Sequence, residues 1–150
     1  LADNPPTNCL EIWTAIGYSS RLISEYTAGH LWSFEISHPA YMTALAHHQT
    51  AQILNTTLYY WNILEVPLER VLPWSIDFCF IDAQKSEYLS YAKKILPYLT
   101  SSHTLIFDDI KQYAHKTGYI TSWLHEHTYS FHVKPLSDND ALLIAHSWWE

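Results

Sequence analysis

The sequence predicts an α/β fold: a seven-stranded, mostly parallel sheet with helices on both faces and an antiparallel hairpin at the C-terminal end. Three observations predict it. Short apolar runs rich in β-branched and aromatic residues alternate with longer stretches of helical period. That alternation requires crossover connections, which bury a parallel sheet on both sides. The last two strand candidates are joined only by "PLSDND", too short for a crossover, so they form a hairpin.

In chain order, the first strand is residues 9–12, inside "LEIWTAIGYSS", closing on an acid and a turn that leads into a helix over 19–26. A second strand over 31–36 is followed by a helix over 39–53, with Ser37 placed to cap ahead of Pro39. Strand 57–60, a short helix over 68–72 and strand 76–81 come next. The helix over 86–99 repeats Tyr88, Tyr91, Ile95 and Leu99 on one face. Strand 104–107, a helix over 113–127 and the hairpin strands 129–133 and 141–145 complete the pattern, with the first strand central in the sheet.

The totals fit one domain over residues 1–150: 48% hydrophobic, 15% charged, with no charge block, repeat or low-complexity run. Net charge is -7, which offers no general attraction to phosphate backbones or anionic membranes. No apolar run approaches the ~20 residues of a membrane span, and "LADNPPTNC" is not a signal sequence, so the expected compartment is cytoplasmic, with no membrane partner. Cys9 and Cys79 each sit in a strand-like run and read as reduced core thiols. None of the ten histidines falls in a metal-binding spacing.

In open parallel sheets, ligands sit over the carboxyl ends of the strands. Residues 11–19, Glu35, Trp61, Asn62, residues 82–85, Asp108 and Asp109 occupy those positions. Glu35, about twenty residues past the first turn, can accept both ribose hydroxyls of an adenosine cofactor, or be a solvated strand-end acid. Asp82, Asp108 and Asp109 end two neighbouring strands and converge, which suits a hard dication such as Mg²⁺. Helix capping is the alternative for Asp82, but adjacent like charges at Asp108 and Asp109 call for a cation. Lys85 reaches the same point, where a nearby dication would lower its pKa and let it take a proton from a hydroxyl; otherwise it is an exposed first-turn lysine.

"LEIWTAIGYSS", "FEIS", "FIDAQKSEYLSY" and "LIFDD" together resemble the class I S-adenosylmethionine-dependent O-methyltransferases of the catechol and caffeoyl-CoA O-methyltransferase type, in order over nearly the whole chain. The resemblance implies a Rossmann-like methyltransferase fold, S-adenosylmethionine as cofactor and Mg²⁺ or another divalent cation. It places Glu11, Trp13, Gly17, Tyr18 and Ser19 in the motif that holds the methionine end of the cofactor. Glu35 matches the ribose acid, and Trp61, Asn62 and Asp82 flank the same groove. Asp82, Asp108 and Asp109 match metal ligands, with Asp109 where the family has asparagine. Lys85 matches the lysine that deprotonates the acceptor hydroxyl. The family's N-terminal helices over the acceptor pocket have no counterpart, so the chain is expected to be a fragment. The acceptor is a small phenolic or catechol-like molecule or, less in keeping with the acidic charge, a hydroxylated tRNA base. A homodimer stays open.

Three glycines against seven tryptophans is an unusual balance. Trp13, Trp61 and Trp74 all stand where the family has glycine, and an indole at the first of these would fill the cofactor's space. One cause would explain all three: a genetic code in which UGA means glycine, rendered as tryptophan. A non-catalytic binding module with a filled groove is the alternative. A nucleotide-binding oxidoreductase shares the turn and the ribose acid, but gives no reason for three converging acids beside a lysine.

Overall fold

The computed structural model of the chain describes residues 4–148. Seven strands form one sheet in the order β3-β2-β1-β4-β5-β7-β6. These are β1 (Asn8–Ile12), β2 (His30–Glu35), β3 (Thr56–Tyr60), β4 (Ile76–Ile81), β5 (Leu99–Phe107), β6 (Ser130–Pro135) and β7 (Ala141–Trp148). The first five pair in parallel, and β7 runs antiparallel between β5 and β6. The fold class read from the sequence is the one observed, with β1 inside the sheet.

Four helices, α1 (Tyr18–Glu25), α2 (His38–Thr50), α3 (Tyr88–Ile95) and α4 (Ala114–Glu126), make the crossovers, except that from β3 to β4, which carries only a 3-10 turn. Alternate residues of β1 divide between the two faces. Cys9 packs with Ile23 of α1, while Leu10 and Ile12 join the larger core with Tyr88, Ile95, Ile120 and Leu124 of α3 and α4. Both cysteines are buried free thiols. Burial pushes the Cys9 thiol up to about 12, consistent with an inert core residue.

Several boundaries differ from expectation for local reasons. The helix expected over 86–99 is three pieces: a 3-10 turn at Lys85–Glu87, then α3, then a 3-10 turn at Leu96–Tyr98. Pro97 cannot donate into a continuing helix, and the chain passes directly into β5, five residues earlier than expected. The helix expected over 68–72 is a single 3-10 turn, Leu68–Arg70. Ser37 stands at the N-cap of α2 without a side-chain capping bond; its backbone N–H donates instead to Glu35 Oε1 at 2.7 Å.

Candidate functional site

The parallel register brings the strand ends level. Ile12 is paired with both Phe34 and Ile81, and Ile81 with Phe107. The next residue on each strand extends the ladder by one bond: Trp13 N–H to Phe34 O (2.9 Å), Trp61 N–H to Glu35 O (2.9 Å), Asp82 N–H to Ile12 O (3.1 Å) and Asp108 N–H to Ile81 O (3.0 Å). Trp13, Glu35, Trp61, Asp82 and Asp108 therefore share one edge. This juxtaposition is set by backbone pairing, not by loop conformation.

The turn after β1 is left-handed at three places: Trp13 (φ 84°), Ala15 (φ 47°) and Gly17 (φ 89°). For a bulky residue such a φ is a genuine outlier that glycine would adopt freely. Glu35 shapes the turn, since Ala15 N–H donates to its Oε2 at 2.7 Å while Ser37 N–H holds Oε1. From the other side α2 braces it. Ile16 O is bonded to His47 Nδ1 at 2.8 Å, and the buried Ser20 hydroxyl to His48 Nε2 at 2.7 Å. Gly17 lies so close to Ala44 that a Cβ there would come within 3.1 Å of the helix backbone. Tyr18 points outward and Ser19 is half-buried.

Beneath the turn, Glu11 is fully buried. Ser33 Oγ donates to its Oε2 at 2.5 Å, Thr14 and Ser33 share a further hydroxyl bond, and Glu11 Oε1 has no partner. Burial pushes the Glu11 carboxyl up to about 7, against the opposing effect of the Ser19 and Ser33 hydroxyls.

Trp13, Phe34, Ile36, Trp61, Asn62 and Ala83 line a depression with room for only about 20 Å³, far below the ~300–1,000 Å³ usual for ligand pockets. Asn62 is occupied locally, its side chain accepting from Leu64 N–H and donating to Glu65. Glu35, 1% exposed, has both oxygens engaged by backbone N–H groups. The backbone suits an adenosine cofactor, with a left-handed turn facing a strand-end acid; the indoles of Trp13 and Trp61 do not. Of the three tryptophans at expected glycine positions, Trp13 alone has a left-handed backbone. Trp61 is 49% exposed, and Trp74 stacks on Tyr98 at 4.7 Å on the surface.

The acidic centre lies at the ends of β4 and β5. Lys85 Nζ donates to Asp82 Oδ1 at 2.6 Å and lies 3.3 Å from Asp109 Oδ2. Its ammonium also faces the rings of Tyr88 and Tyr113 at 5.4 and 5.9 Å. Burial opposes the Lys85 charge, but the bond to Asp82 and the other surrounding groups outweigh it, so its pKa is raised above the ordinary lysine value. Asp109 is left-handed (φ 56°) and its N–H donates to Asp108 Oδ1 at 2.8 Å. Burial, helped by the charges of Asp82 and Asp109, pushes Asp108 up to about 6.

Among the described residues, the carboxylates whose oxygens come within 4.8 Å of one another are Asp108, Asp109 and Asp140. Asp82, expected in that set, is paired with Lys85, and Asp140 joins from the turn before β7. Nothing in the sequence marked Asp140, which sits in a run of ordinary turn residues. The donor set fits a hard divalent cation: it is all oxygen, and Asp140 Oδ1 is sealed from solvent without a hydrogen bond.

No family model matches the sequence, nor does any curated protein. Solved structures do match in fold. A SAM-dependent methyltransferase from Aquifex aeolicus superposes with a TM-score of 0.77 at 13% identity, over 95% of this chain and 83% of that one. A SAH-bound methyltransferase from Podospora anserina gives 0.80 at 18% identity, over 97% and 73%. The O-methyltransferase TomG from Streptomyces achromogenes, involved in tomaymycin synthesis and in complex with SAM, gives 0.78 at 17% identity, over 95% and 73%. The chain has the Rossmann-like fold of these methyltransferases.

Proposed function

We propose that the site is that of an S-adenosylmethionine-dependent, divalent-metal-assisted O-methyltransferase, and that the indoles at positions 13 and 61 close its donor groove in the sequence as it stands. The observation that carries this reading is the φ of 84° at Trp13, a glycine conformation imposed on a tryptophan by the bond to Phe34 O and the bracing from Glu35. The turn has the shape a donor needs, without the space.

At the other end of the site the chain offers Asp108, Asp109 and Asp140 to hold a cation, with Asp82 and Lys85 beside them. When bound, the cation supplies Lewis acidity toward an acceptor hydroxyl. Lys85 is the residue placed to move that hydroxyl's proton, at Nζ; in the resting form it is a charged hydrogen-bond donor. Tyr113, near Lys85, gives the acceptor side an aromatic wall, in keeping with a small phenolic acceptor. A hydroxylated tRNA base is the less favoured acceptor, given the net charge of -7.

The filled depression favours a second reading, a non-catalytic binding module. Calorimetry with S-adenosylhomocysteine on the folded Trp13→Gly/Trp61→Gly protein separates the two. Binding by the double variant supports the methyltransferase; a folded variant that ignores the ligand puts the binding module ahead.

A further inference from the structure

Resting on the metal-assisted reading above, we infer that Asp140 is itself a ligand of the divalent cation, so that the cation ties the β6-β7 hairpin to the end of β5. The neighbouring acids have protein partners. Asp82 has Lys85, Asp109 also has Lys85, and Asp108 accepts the Asp109 N–H. Asp140 differs in that one oxygen, Oδ1, is enclosed by protein without a hydrogen bond, while the carboxyl as a whole lies against that of Asp109 and the Ala141 N–H. A carboxylate oxygen withheld from water and donors is costly unless a cation or a proton completes it, and a cation bridging Asp140 to Asp109 also relieves the repulsion between the two acids.

The backbone holds Asp140 in place. Its carbonyl accepts from Leu136 N–H (3.0 Å) and Ser137 N–H (3.2 Å), which closes the hairpin turn. Next to it, Ile110 N–H donates to Ala141 O at 3.2 Å, stitching the loop after Asp109 to the start of β7. Asp140 is therefore positioned by two elements at once, β7 through its antiparallel pairing with β5 and the loop after Asp109. The charge balance points the same way. Lys85 is paired with Asp82 and Asp109, and among the described residues Asp108 and Asp140 have no ion pair, leaving room for a dication. Oxygen-only, carboxylate-rich sites select Mg²⁺, Mn²⁺ or Ca²⁺ over softer metals.

The test uses MnCl2 alone on the full chain, without methyl donor or acceptor. Mn²⁺ affinity is read by electron paramagnetic resonance, and hydrogen exchange is followed at the amides of residues 130–148. Asp140→Asn is expected to bind Mn²⁺ ~10-fold or more weakly, as the loss of one charged ligand demands. It should also lose the Mn²⁺-dependent slowing of exchange in the hairpin that wild type shows. Asp138→Asn, an exposed acid in the same turn, should behave as wild type and controls for net charge. Wild-type affinity and hairpin protection in Asp140→Asn would overturn the assignment while leaving the metal at Asp108 and Asp109. Failure of wild type itself to bind Mn²⁺ would overturn both the assignment and metal assistance. Should Asp140→Asn not fold, Asp140→Ser, which keeps a turn-forming side chain, is read in the same way.

Discussion

Lys85 holds its ammonium 2.6 Å from Asp82 Oδ1, with its own side chain only 12% exposed. It acts as the resting counter-ion of the acidic centre, reaching Asp109 as well. Lys85→Ala should therefore have two effects of opposite sign. Without metal, the half-exposed acids lose their partner and stability falls by ~1 kcal/mol, a figure discounted for solvent screening. With metal, Mn²⁺ should bind more tightly than to wild type, because no ammonium competes for the same oxygens. Thermal midpoints with and without MnCl2 check both; weaker Mn²⁺ binding in the variant would show that Lys85 supports the cation site instead of competing for it.

Replacing Trp13 by glycine should relieve ~1–2 kcal/mol of left-handed strain while giving up part of the ~3–5 kcal/mol of packing that a fully buried indole provides. Since Trp13 is only partly buried, the net change in unfolding free energy should stay within ~2 kcal/mol. Chemical denaturation of Trp13→Gly measures it. Trp61→Gly, starting from a half-exposed side chain, should cost less.

The codons at positions 13, 61 and 74 give a prediction that needs no protein. UGA at all three is expected if one recoding event accounts for the tryptophans. UGG throughout would make the indoles genuine and shift the weight to a binding module.

Glu11 gives the protein a pH-dependent stability. Its carboxyl is moved from 4.5 to about 7 by burial, so the folded state keeps a proton that the unfolded chain has released. Stability from this group is fully present below about pH 4.5 and declines as pH rises through about 7, by roughly 3 kcal/mol in all. Glu11→Gln removes the proton equilibrium, and its thermal midpoint should gain on wild type progressively across that window. A wild-type and variant difference that is flat with pH would show that Glu11 is ionised in the fold.

Two glycines should respond to alanine in opposite directions. A Cβ on Gly29 would lie 2.3 Å from Thr7 O, a backbone atom that pairs the entry of β1 with that of β2. Gly29→Ala should cost ~1–3 kcal/mol by overpacking. Gly118 lies within α4 with nothing within 4 Å of its Cβ position. Gly118→Ala should gain ~0.5–1 kcal/mol from helix propensity, a rise of ~1–4 °C in melting.

The strands were legible because each is a compact apolar run, and parallel pairing then fixes which residues share the functional edge. Glu35, Asp82 and Asp108 could be placed there from the sequence for that reason alone. Helix interruptions were harder, since the start of β5 depends on how Pro97 and the exposed Ser101 and Ser102 meet β4 across an irregular register. Asp140 was invisible because its partners lie about thirty residues away and its own surroundings read simply as turn chemistry. The role of Glu35 in bracing Ala15 was equally hidden: a strand-end acid looks the same in sequence whether it faces ligand or backbone.

The sheet order also bears on how the molecule is made. β7 is translated after β5 and β6 yet fills the place between them. During the few seconds in which residues 108–148 emerge from a ribosome, β5 waits with one edge unpaired, and its neighbour-to-be is still within the exit tunnel. A nine-residue strand in that condition is a template for any other extended chain nearby. The interval between synthesis of β5 and arrival of β7 is thus one in which a nascent chain presents an edge open to aggregation.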